Sequence, residues 1–458
     1  MMQLPSLFEE RMRFLLGAQY NEFLAGYDLP LRRGLRVNTQ RISAEEFCRL
    51  FPHPLEESPF APDCFYLDAS HKAGSDPLHH AGAYYMQEPS AASAVTVLDP
   101  KSGECILDLC AAPGGKSTQI ATALGDTGLL WSNEYVPARA RILQQNLERW
   151  GVRNQVVSNR DTGTLCEALA DCFDAVLVDA PCSGEGMFRK EPQALTEWSM
   201  DNIALCAARQ DEILDNAAKT VRPNGRLVYS TCTFAPEENE GAISRFLTRH
   251  PDFELVKIDV DWGCSGFTAE QVRAVGVDAE DCFDLTACRR ILPQHGGEGH
   301  FIALLRRSDE ALPHPIRAFI YPAKDPYAKD AETLYRECFI DEPEGVFVTF
   351  GEQIRLLPHK LPDCRGLGTA GVAVATVCKN RLEPCHSIFA AARAENCRRR
   401  VDLSPEDPRL IAFLRGEEIP CDTDKGWTAV CVAGITVGFG KSSGGKLKNR
   451  YPKGLRLL

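Results

Sequence analysis

Three patterns that would place a protein outside the reducing interior of a cell are missing from this chain. No apolar run approaches the roughly 20 residues that a membrane-spanning helix needs, so we expect no membrane partner. The 19 cysteines are odd in number and include no Cys-x-x-Cys pair, which disfavours a disulfide framework and a zinc site. The opening residues carry charges among apolar positions, unlike a secretory signal. We therefore expect a cytoplasmic protein that holds no metal and whose thiols are mostly buried and inert.

A net positive charge is also missing, which argues against a protein that binds nucleic acid nonspecifically. The net charge is −12 and the pI is near 5.4. Basic residues nevertheless cluster in two places: four arginines fall within residues 32–41, and residues 441–458 carry six Lys or Arg and no acid. Such segments on an acidic body indicate either a specific polyanion site or ordinary solvated faces, and composition leaves both open.

The order of predicted elements indicates an α/β core within a chain of two to four domains. Residues 5–27 have helical apolar spacing. From about residue 88 to 306, amphipathic helices alternate with apolar strand runs, namely CILDLCAA (105–112), LLWSNEY (129–135), NQVVSN (154–159), FDAVLVDAP (173–181) and GRLVYSTC (225–232). This alternation predicts a mostly parallel sheet with helices on both faces, and ligands bind beyond the carboxyl ends of such strands.

Two further elements complete the core, and the regions after it have weaker patterns. A long helix over residues 200–221 is expected to be halted by Pro223 and Gly225, and residues 301–307 are expected to form a late strand. Residues 311–325 contain several prolines and are predicted to be a linker. Short apolar runs beyond them predict one or two small β-rich modules.

DLCAAPGGKST (108–118) joins a strand end to a helix start and is the strongest motif. Gly114 and Gly115 allow a ligand to approach the backbone at the helix N-terminus, where bare N–H groups favour an anionic or polar group. The motif resembles the end of a phosphate-binding P-loop, but Cys110 replaces the first glycine that such a loop requires. A nucleoside site and a plain tight turn are the remaining interpretations.

Acidic residues at three further strand ends favour a nucleoside pocket. Glu134 follows the next strand, Asp161 the third and Asp179 the fourth. An acid at such a position meets ribose hydroxyls in nucleoside-binding sheets. S-adenosylmethionine suits this pocket, because the acids also complement a cationic ligand.

Two cysteines also lie at strand ends, Cys182 in DAPCSGEG and Cys232 in STCTF. A buried inert thiol is the ordinary interpretation of any one cysteine, but two on neighbouring loops at the ligand edge fit a reaction. Carbon 5 of a pyrimidine becomes nucleophilic once a thiolate adds to carbon 6. Asp179 could assist at nitrogen 3 by hydrogen bonding or proton donation.

The motifs resemble those of the Nop/Sun family of RNA cytosine-5 methyltransferases. They occur in that family's order and spacing over about residues 1–307, as RVNT (36–39), DLCAAPGGKS (108–117), NEYVPAR (133–139), DAPCSGEGMFRKEP (179–192), STCTF (230–234) with EENE, and ILPQHGGEGHFIALLRR (291–307). The resemblance implies a Rossmann-like methyltransferase core that uses S-adenosyl-L-methionine.

The resemblance also implies roles for single residues. Cys232 would attack carbon 6 and Cys182 would assist release, although DNA cytosine methyltransferases use the cysteine at the Cys182 position as nucleophile. Asp179 would serve the cofactor or the base, and Lys190 would line the base pocket. The implied cofactor contacts are Cys110, Ala111, Ala112, Pro113, Gly114, Gly115, Lys116, Glu134, Asp161 and Asp179.

The basic C-terminal segment resembles ribosomal RNA members of the family, whose last module is similar to a PUA domain. We expect an α+β RNA-binding domain over 1–85, the methyltransferase core over 86–308, a linker and small intermediate domain over 309–385, and a PUA-like domain with a basic tail over 386–458. The expected partner of this monomer is ribosomal RNA or the small ribosomal subunit, near the decoding region. Methylation of transfer RNA, a non-catalytic RNA-binding assembly factor and, most distantly, a P-loop ATPase are the alternatives.

Overall fold

The computed structural model describes residues 3–68, 71–310, 316–379 and 381–457. The N-terminal module opens with two helices and continues with a small antiparallel sheet of strand order β2-β3-β1-β4. Its elements are α1 (Ser6–Leu16), α2 (Tyr20–Gly26), β1 (Arg33–Val37), α3 (Ala44–Leu50), β2 (Glu56–Glu57), β3 (Cys64–Leu67), α4 (Pro77–His80) and β4 (Tyr84–Met86). The predicted helical opening is correct, because Phe8, Met12 and Leu15 form its buried face.

The core alternates strands and helices as predicted. Its elements are α5 (Ser93–Leu98), β5 (Cys105–Asp108), α6 (Gly115–Leu124), β6 (Leu129–Asn133), α7 (Pro137–Trp150), β7 (Gln155–Ser158), α8 (Thr162–Ala168), β8 (Phe173–Asp179), α9 (Pro192–Glu197), α10 (Met200–Thr220), β9 (Val221–Thr231), α11 (Glu240–Arg249), β10 (Phe253–Val256), β11 (Cys264–Ser265), α12 (Ala269–Ala274), β12 (Arg289–Ile291) and β13 (His300–Arg307).

Five core strands are parallel, in the order β9-β8-β5-β6-β7. Alternate residues face two separate apolar clusters: Leu107 and Val176 pack with α10 on one side, and Ile106 and Leu177 pack with α6 and α7 on the other. The prediction of helices on both faces is therefore correct. This layering leaves the carboxyl ends of the strands as the open edge.

Two details of the prediction are wrong. The long helix ends at Thr220 rather than being halted by Pro223 and Gly225, and both of these residues lie in β9, where the pairing with β8 has a register shift. The sheet is also less parallel than expected, because β13 returns antiparallel to β9 and carries β10 and β12 with it. As a consequence, β13 begins at the edge where the parallel strands end.

Two β-rich modules follow, as predicted. The first contains α13 (Ala328–Cys338), β14 (Val346–Phe350), β15 (Gln353–Leu357), β16 (Gly368–Ala370), β17 (Val372–Cys378) and β18 (Arg381–Pro384). The second contains α14 (His386–Ala390), β19 (Arg400–Leu403), α15 (Pro408–Leu414), β20 (Ile419–Pro420), β21 (Gly426–Val432), β22 (Ile435–Ser443) and β23 (Lys446–Asn449). Of the predicted linker, residues 311–315 lie outside the described part, and 316–325 contain no helix or strand.

The modules pack against the core and against one another. Strand β16 pairs antiparallel with β7 and so extends the core sheet. The N-terminal sheet and the last module share one apolar cluster, in which Leu35 and Phe47 join Phe413 and Val430. Among the described residues, none of the helices combines the length and apolar character that crossing a bilayer requires.

A buried ion pair fixes the segment that follows β9. Arg290 Nε donates to Glu240 Oε1 at 2.7 Å, and the two side chains are 1% and 0% exposed. The guanidinium also donates to the Phe234 carbonyl at 3.0 Å, and its carbon lies 4.1 Å from the centre of the Phe267 ring. Removing one charge of such a pair leaves the other buried and uncompensated.

We expect Glu240→Gln to lower the free energy of unfolding by about 3–5 kcal/mol, because Arg290 would lose its counter-charge in a buried site. Urea denaturation followed by circular dichroism measures the change. The matched control is Asp211→Asn, which removes a more exposed partner of Arg245 and Arg249 and should cost less than about 1 kcal/mol. Equal losses for the two variants would contradict this assignment.

Candidate active site

Cys182 and Cys232 lie together at the carboxyl edge of the sheet. They follow β8 and β9, which are adjacent and parallel, with Asp179 opposite Ser230. The two Sγ atoms are 3.2 Å apart, within hydrogen-bonding distance for sulfur, and both side chains are partly exposed. The neighbouring loops predicted from the sequence thus bring two thiols into contact where a ligand can reach them.

Hydrogen bonds between the two loops hold this contact. Ser183 Oγ and Thr233 Oγ1 lie 2.9 Å apart. Glu185 accepts from Thr233 Oγ1 at 3.1 Å and from the Phe234 N–H at 2.9 Å. The Gly186 N–H donates to the Cys232 carbonyl at 2.8 Å. The thiols are therefore held by their loops and not only by the strands.

Sequence reasoning missed Glu238, a buried acid beneath the thiols. It accepts from the Ser183 N–H at 3.0 Å and from Gln210 Nε2 at 2.8 Å, and burial raises its pKa to about 7. The hydrogen bond with Cys232, then burial and the charges of Cys232 and Glu238, raise the pKa of Cys182 well above its ordinary value. The EENE motif held Glu238, but only the fold places it under Ser183.

Asp179 is held as a carboxylate beside the thiols. Its Oδ2 accepts from Lys116 Nζ at 2.7 Å, and its Oδ1 accepts from Ser230 Oγ at 2.8 Å. Burial raises the pKa of Asp179, but Lys116, His300 and Ser230 outweigh burial, so the pKa is below its ordinary value. Of the two roles expected for this residue, hydrogen bonding therefore fits better than proton donation.

The loop from Cys110 to Lys116 wraps the end of β5. Gly114 has a φ of 114°, a conformation that favours glycine, and α6 begins directly after it. The loop is anchored by Asn146 Nδ2, which donates to the Pro113 carbonyl at 2.8 Å, and by Arg139 Nη2, which donates to the Ala112 carbonyl at 2.9 Å. These two hydrogen bonds fix the loop against α7.

The acids near this loop fit a cationic ligand. Asp108 is fully buried, and its Oδ1 has no hydrogen-bond partner among the described residues. Burial, followed by the charges of Asp179 and Glu134, raises the pKa of Asp108 to about 7, against Ser117 and Lys116. Lys116 pairs with Asp179 and Arg139 pairs with Glu134 at 3.4 Å, whereas Asp108 has no ion pair among the described residues. A ligand with positive charge would relieve the repulsion among these three carboxylates.

Two predicted residues lie apart from this cluster. Asp161 is exposed and caps α8, where its carboxylate accepts from the Thr164 N–H at 2.8 Å. Lys190 is near Glu298 and lowers the pKa of that acid, which burial raises. Among the described contacts, neither side chain reaches the thiols or the Asp108 carboxylate.

Comparison with known proteins adds to this geometry. The model of the 16S rRNA methyltransferase RsmB/F family matches residues 95–306, that of the N-terminal domain of 16S rRNA methyltransferase RsmF matches 4–89, and that of the methyltransferase RsmF PUA domain matches 400–457. Ribosomal RNA small subunit methyltransferase F of Vibrio campbellii is 30% identical over 99% of this chain and 97% of its own. The same-named protein of Aeromonas salmonicida is 31% identical with the same coverage.

The chain belongs to the methyltransferase F family. A methyltransferase homolog protein from Pyrococcus horikoshii is similar in structure, with a TM-score of 0.58 and 30% identity over 66% of this chain and 95% of its own. NSun6 from P. horikoshii, solved with SFG, shares the fold, with a TM-score of 0.55 and 23% identity over 66% of this chain and 98% of its own. The predicted methyltransferase core, N-terminal domain and PUA-like module are confirmed, and the chain is an S-adenosylmethionine-dependent member of an RNA methyltransferase family.

We expect the affinity for S-adenosylmethionine to rise by up to about tenfold between pH 6 and pH 8. The pKa of Asp108 is about 7, so the carboxylate that attracts a cation is mostly protonated at pH 6 and mostly ionised at pH 8. Isothermal titration calorimetry at each pH measures the dissociation constant.

Asp108→Asn should weaken binding and remove most of this pH dependence. Asp126→Asn is the control, since Asp126 follows α6 at the opposite end of the sheet and pairs with Arg393. A pH dependence that survives in the Asp108 variant would assign it to another group.

Proposed function

We propose that this protein methylates carbon 5 of a cytosine in small-subunit ribosomal RNA, with Cys232 as the covalent nucleophile. The observation that carries the proposal is the pair of thiols 3.2 Å apart, at the edge where the Lys116–Asp179 ion pair and the cofactor loop also lie. It acts as a monomer in the cytoplasm on ribosomal RNA or the small subunit. The names of the curated relatives support ribosomal over transfer RNA.

The reaction needs a nucleophile that can add and then leave. The Cys232 thiolate forms a bond to carbon 6 of the base, and the ring electrons shift so that carbon 5 becomes nucleophilic. Bound S-adenosylmethionine supplies the methyl group as an electrophile at carbon 5. A base then takes the proton from carbon 5, and the electron pair of that C–H bond restores the double bond between carbons 5 and 6. The sulfur leaves carbon 6 with its bonding pair as the Cys232 thiolate.

The neighbours of Cys182 support its proposed role in release. Cys182 has a raised pKa, so it stays a thiol and can donate a hydrogen bond to a thiolate on Cys232 at 3.2 Å. A protonated Cys182 can also donate its proton to the Cys232 thiolate as that sulfur leaves carbon 6. Asp179 accepts from the base or from the cofactor, with Lys116 beside it. The loop 110–116 with Glu134 holds the cofactor. The roles of Asp161 at the cofactor and of Lys190 at the base pocket rest on the family resemblance alone, since among the described contacts neither reaches the thiols or Asp108.

We expect Cys182→Ala to accumulate a covalent enzyme–RNA adduct and Cys232→Ala to form none. The first variant keeps the nucleophile but loses the group that assists release, and the second loses the nucleophile. A denaturing gel after incubation with ribosomal RNA and S-adenosylmethionine measures the adduct.

Cys282→Ala is the matched control, because Cys282 is an exposed thiol that lies outside the two loops. It should turn over normally and leave no adduct. The reverse pattern for the two active-site variants would make Cys182 the nucleophile.

RNA contact is proposed for the last module. The sequence predicts a basic tail over residues 441–458, but this segment belongs to the folded module. Part of it lies in β22 and β23, and Leu447 and Tyr451 are buried. Strand alternation instead leaves the lysines on the surface, where Lys441 pairs across the strands with Lys448. Lys441 Nζ also lies 4.7 Å from the centre of the Trp427 ring. A folded, one-sided set of lysines suits a phosphate backbone.

Replacing Lys446, Lys448 and Lys453 with Gln should weaken RNA binding and lower the slope of log affinity against log salt by about two to three, since each phosphate contact contributes roughly 0.7–0.9. Filter binding over a salt series measures both quantities. The same replacement at the exposed Lys324, Lys329 and Lys360 is the control, with affinity for S-adenosylmethionine unchanged in both. Equal slopes for the two triple variants would remove this surface from the RNA interface.

A further inference from the structure

The first residues of β13 form a third side of the active site. In the antiparallel pairing with β9, Phe301 lies opposite Thr231, so His300 lies beside Cys232. A Cβ on Gly186 would come within 2.9 Å of the Cys232 carbonyl oxygen and 3.0 Å of the Gly299 carbonyl oxygen. Three backbone segments therefore meet here: the two cysteine loops and the start of β13.

His300 is a buried polar side chain with one nitrogen unused. The residue is 4% exposed, and its Nε2 has no hydrogen-bond partner among the described residues. The Asp179 Oδ1 atom is 3.9 Å away, which is too far for a hydrogen bond. A buried unpaired nitrogen costs free energy, and its position at a ligand edge indicates that a ligand completes it.

The ring is neutral and presents a lone pair at Nε2. Burial and then the positive charge of Lys116 lower the pKa of His300 to about 4, against Asp179, Glu88 and a hydrogen bond to the backbone of Gly299. A proton on Nε2 would be buried 3.9 Å from Asp179 Oδ1 without a hydrogen-bond partner among the described residues. We therefore assign the single proton of the neutral ring to Nδ1, which makes Nε2 an acceptor.

We propose that His300 is a specificity residue that accepts a hydrogen bond from the exocyclic amino group of the target cytosine. This inference rests on the proposed cytosine-5 activity. An amino group has two N–H donors, and it can face both His300 Nε2 and Asp179 Oδ1, two acceptors 3.9 Å apart. Uracil has a carbonyl oxygen at the same ring position, so it would bring a third acceptor against these two and be rejected.

Two variants separate this role from a structural one. His300→Leu removes the acceptor, whereas His300→Gln can place an amide oxygen near the former Nε2 position. His300→Asn keeps a polar group but ends short of that position, and it serves if the Leu variant does not fold. Thermal melting and affinity for S-adenosylmethionine identify the variants that remain folded.

The experiment compares cytosine with uracil at the modified position. That position is first mapped with the wild-type protein, and ribosomal RNA transcripts carrying either base are then methylated. Mass spectrometry of nucleosides measures 5-methylcytidine and 5-methyluridine. We expect the cytosine-to-uracil ratio of kcat/KM to fall about 10- to 100-fold in His300→Leu or His300→Asn, and to be largely kept in His300→Gln.

An unchanged ratio in a folded Leu or Asn variant overturns the inference, even if both rates fall, because a purely structural role slows both bases alike. A wild-type protein that forms no 5-methylcytidine overturns the proposed function and this inference together. Normal formation of 5-methylcytidine with an unchanged ratio overturns this inference alone.

Discussion

The parallel pairing of β8 and β9 is the constraint on which the site depends. Adjacent parallel strands end at the same edge, so residues that follow them meet even when 50 positions separate them, as Cys182 and Cys232 do. The same pairing puts Ser230 beside Asp179. Antiparallel β13 then adds its first residues at this edge. An antiparallel β8–β9 pair would have separated the thiols by the length of a strand.

Electrostatics at this edge are set by neighbouring carboxylates. Lys116 pairs with Asp179 and lowers its pKa, and Arg139 pairs with Glu134. Asp108 has no ion pair among the described residues, and burial raises its pKa. Burial also raises the pKa of Glu238 to about 7, and the hydrogen bond with Cys232, followed by burial, raises the pKa of Cys182. A cationic ligand at this edge would favour the ionised form of Asp108, so its binding would be coupled to the protonation of that acid.

Shared packing joins the regions outside the core to this edge. Helices α1 and α2 pack against the cysteine loops, where Phe8 contacts Phe188 and Phe23 contacts Phe234. Arg36 on β1 donates to Thr118 at 2.6 Å and so holds the N-terminal sheet on α6. The last module shares a core with that sheet. A basic surface on this module is thus fixed in position relative to the thiols.

The sequence alone predicted the core elements and a candidate chemistry. Apolar runs located β5–β9, since buried strands need them, and the Gly114–Gly115 turn and the two strand-end cysteines indicated a nucleoside pocket and a reactive edge. Local patterns could not show that Lys190 faces Glu298, or that Glu238 and His300 lie at the thiols. Those facts depend on long-range packing, because an acid or histidine acquires its role from neighbours distant in the chain. The parallel order of the strands decided which thiols and carboxylates met.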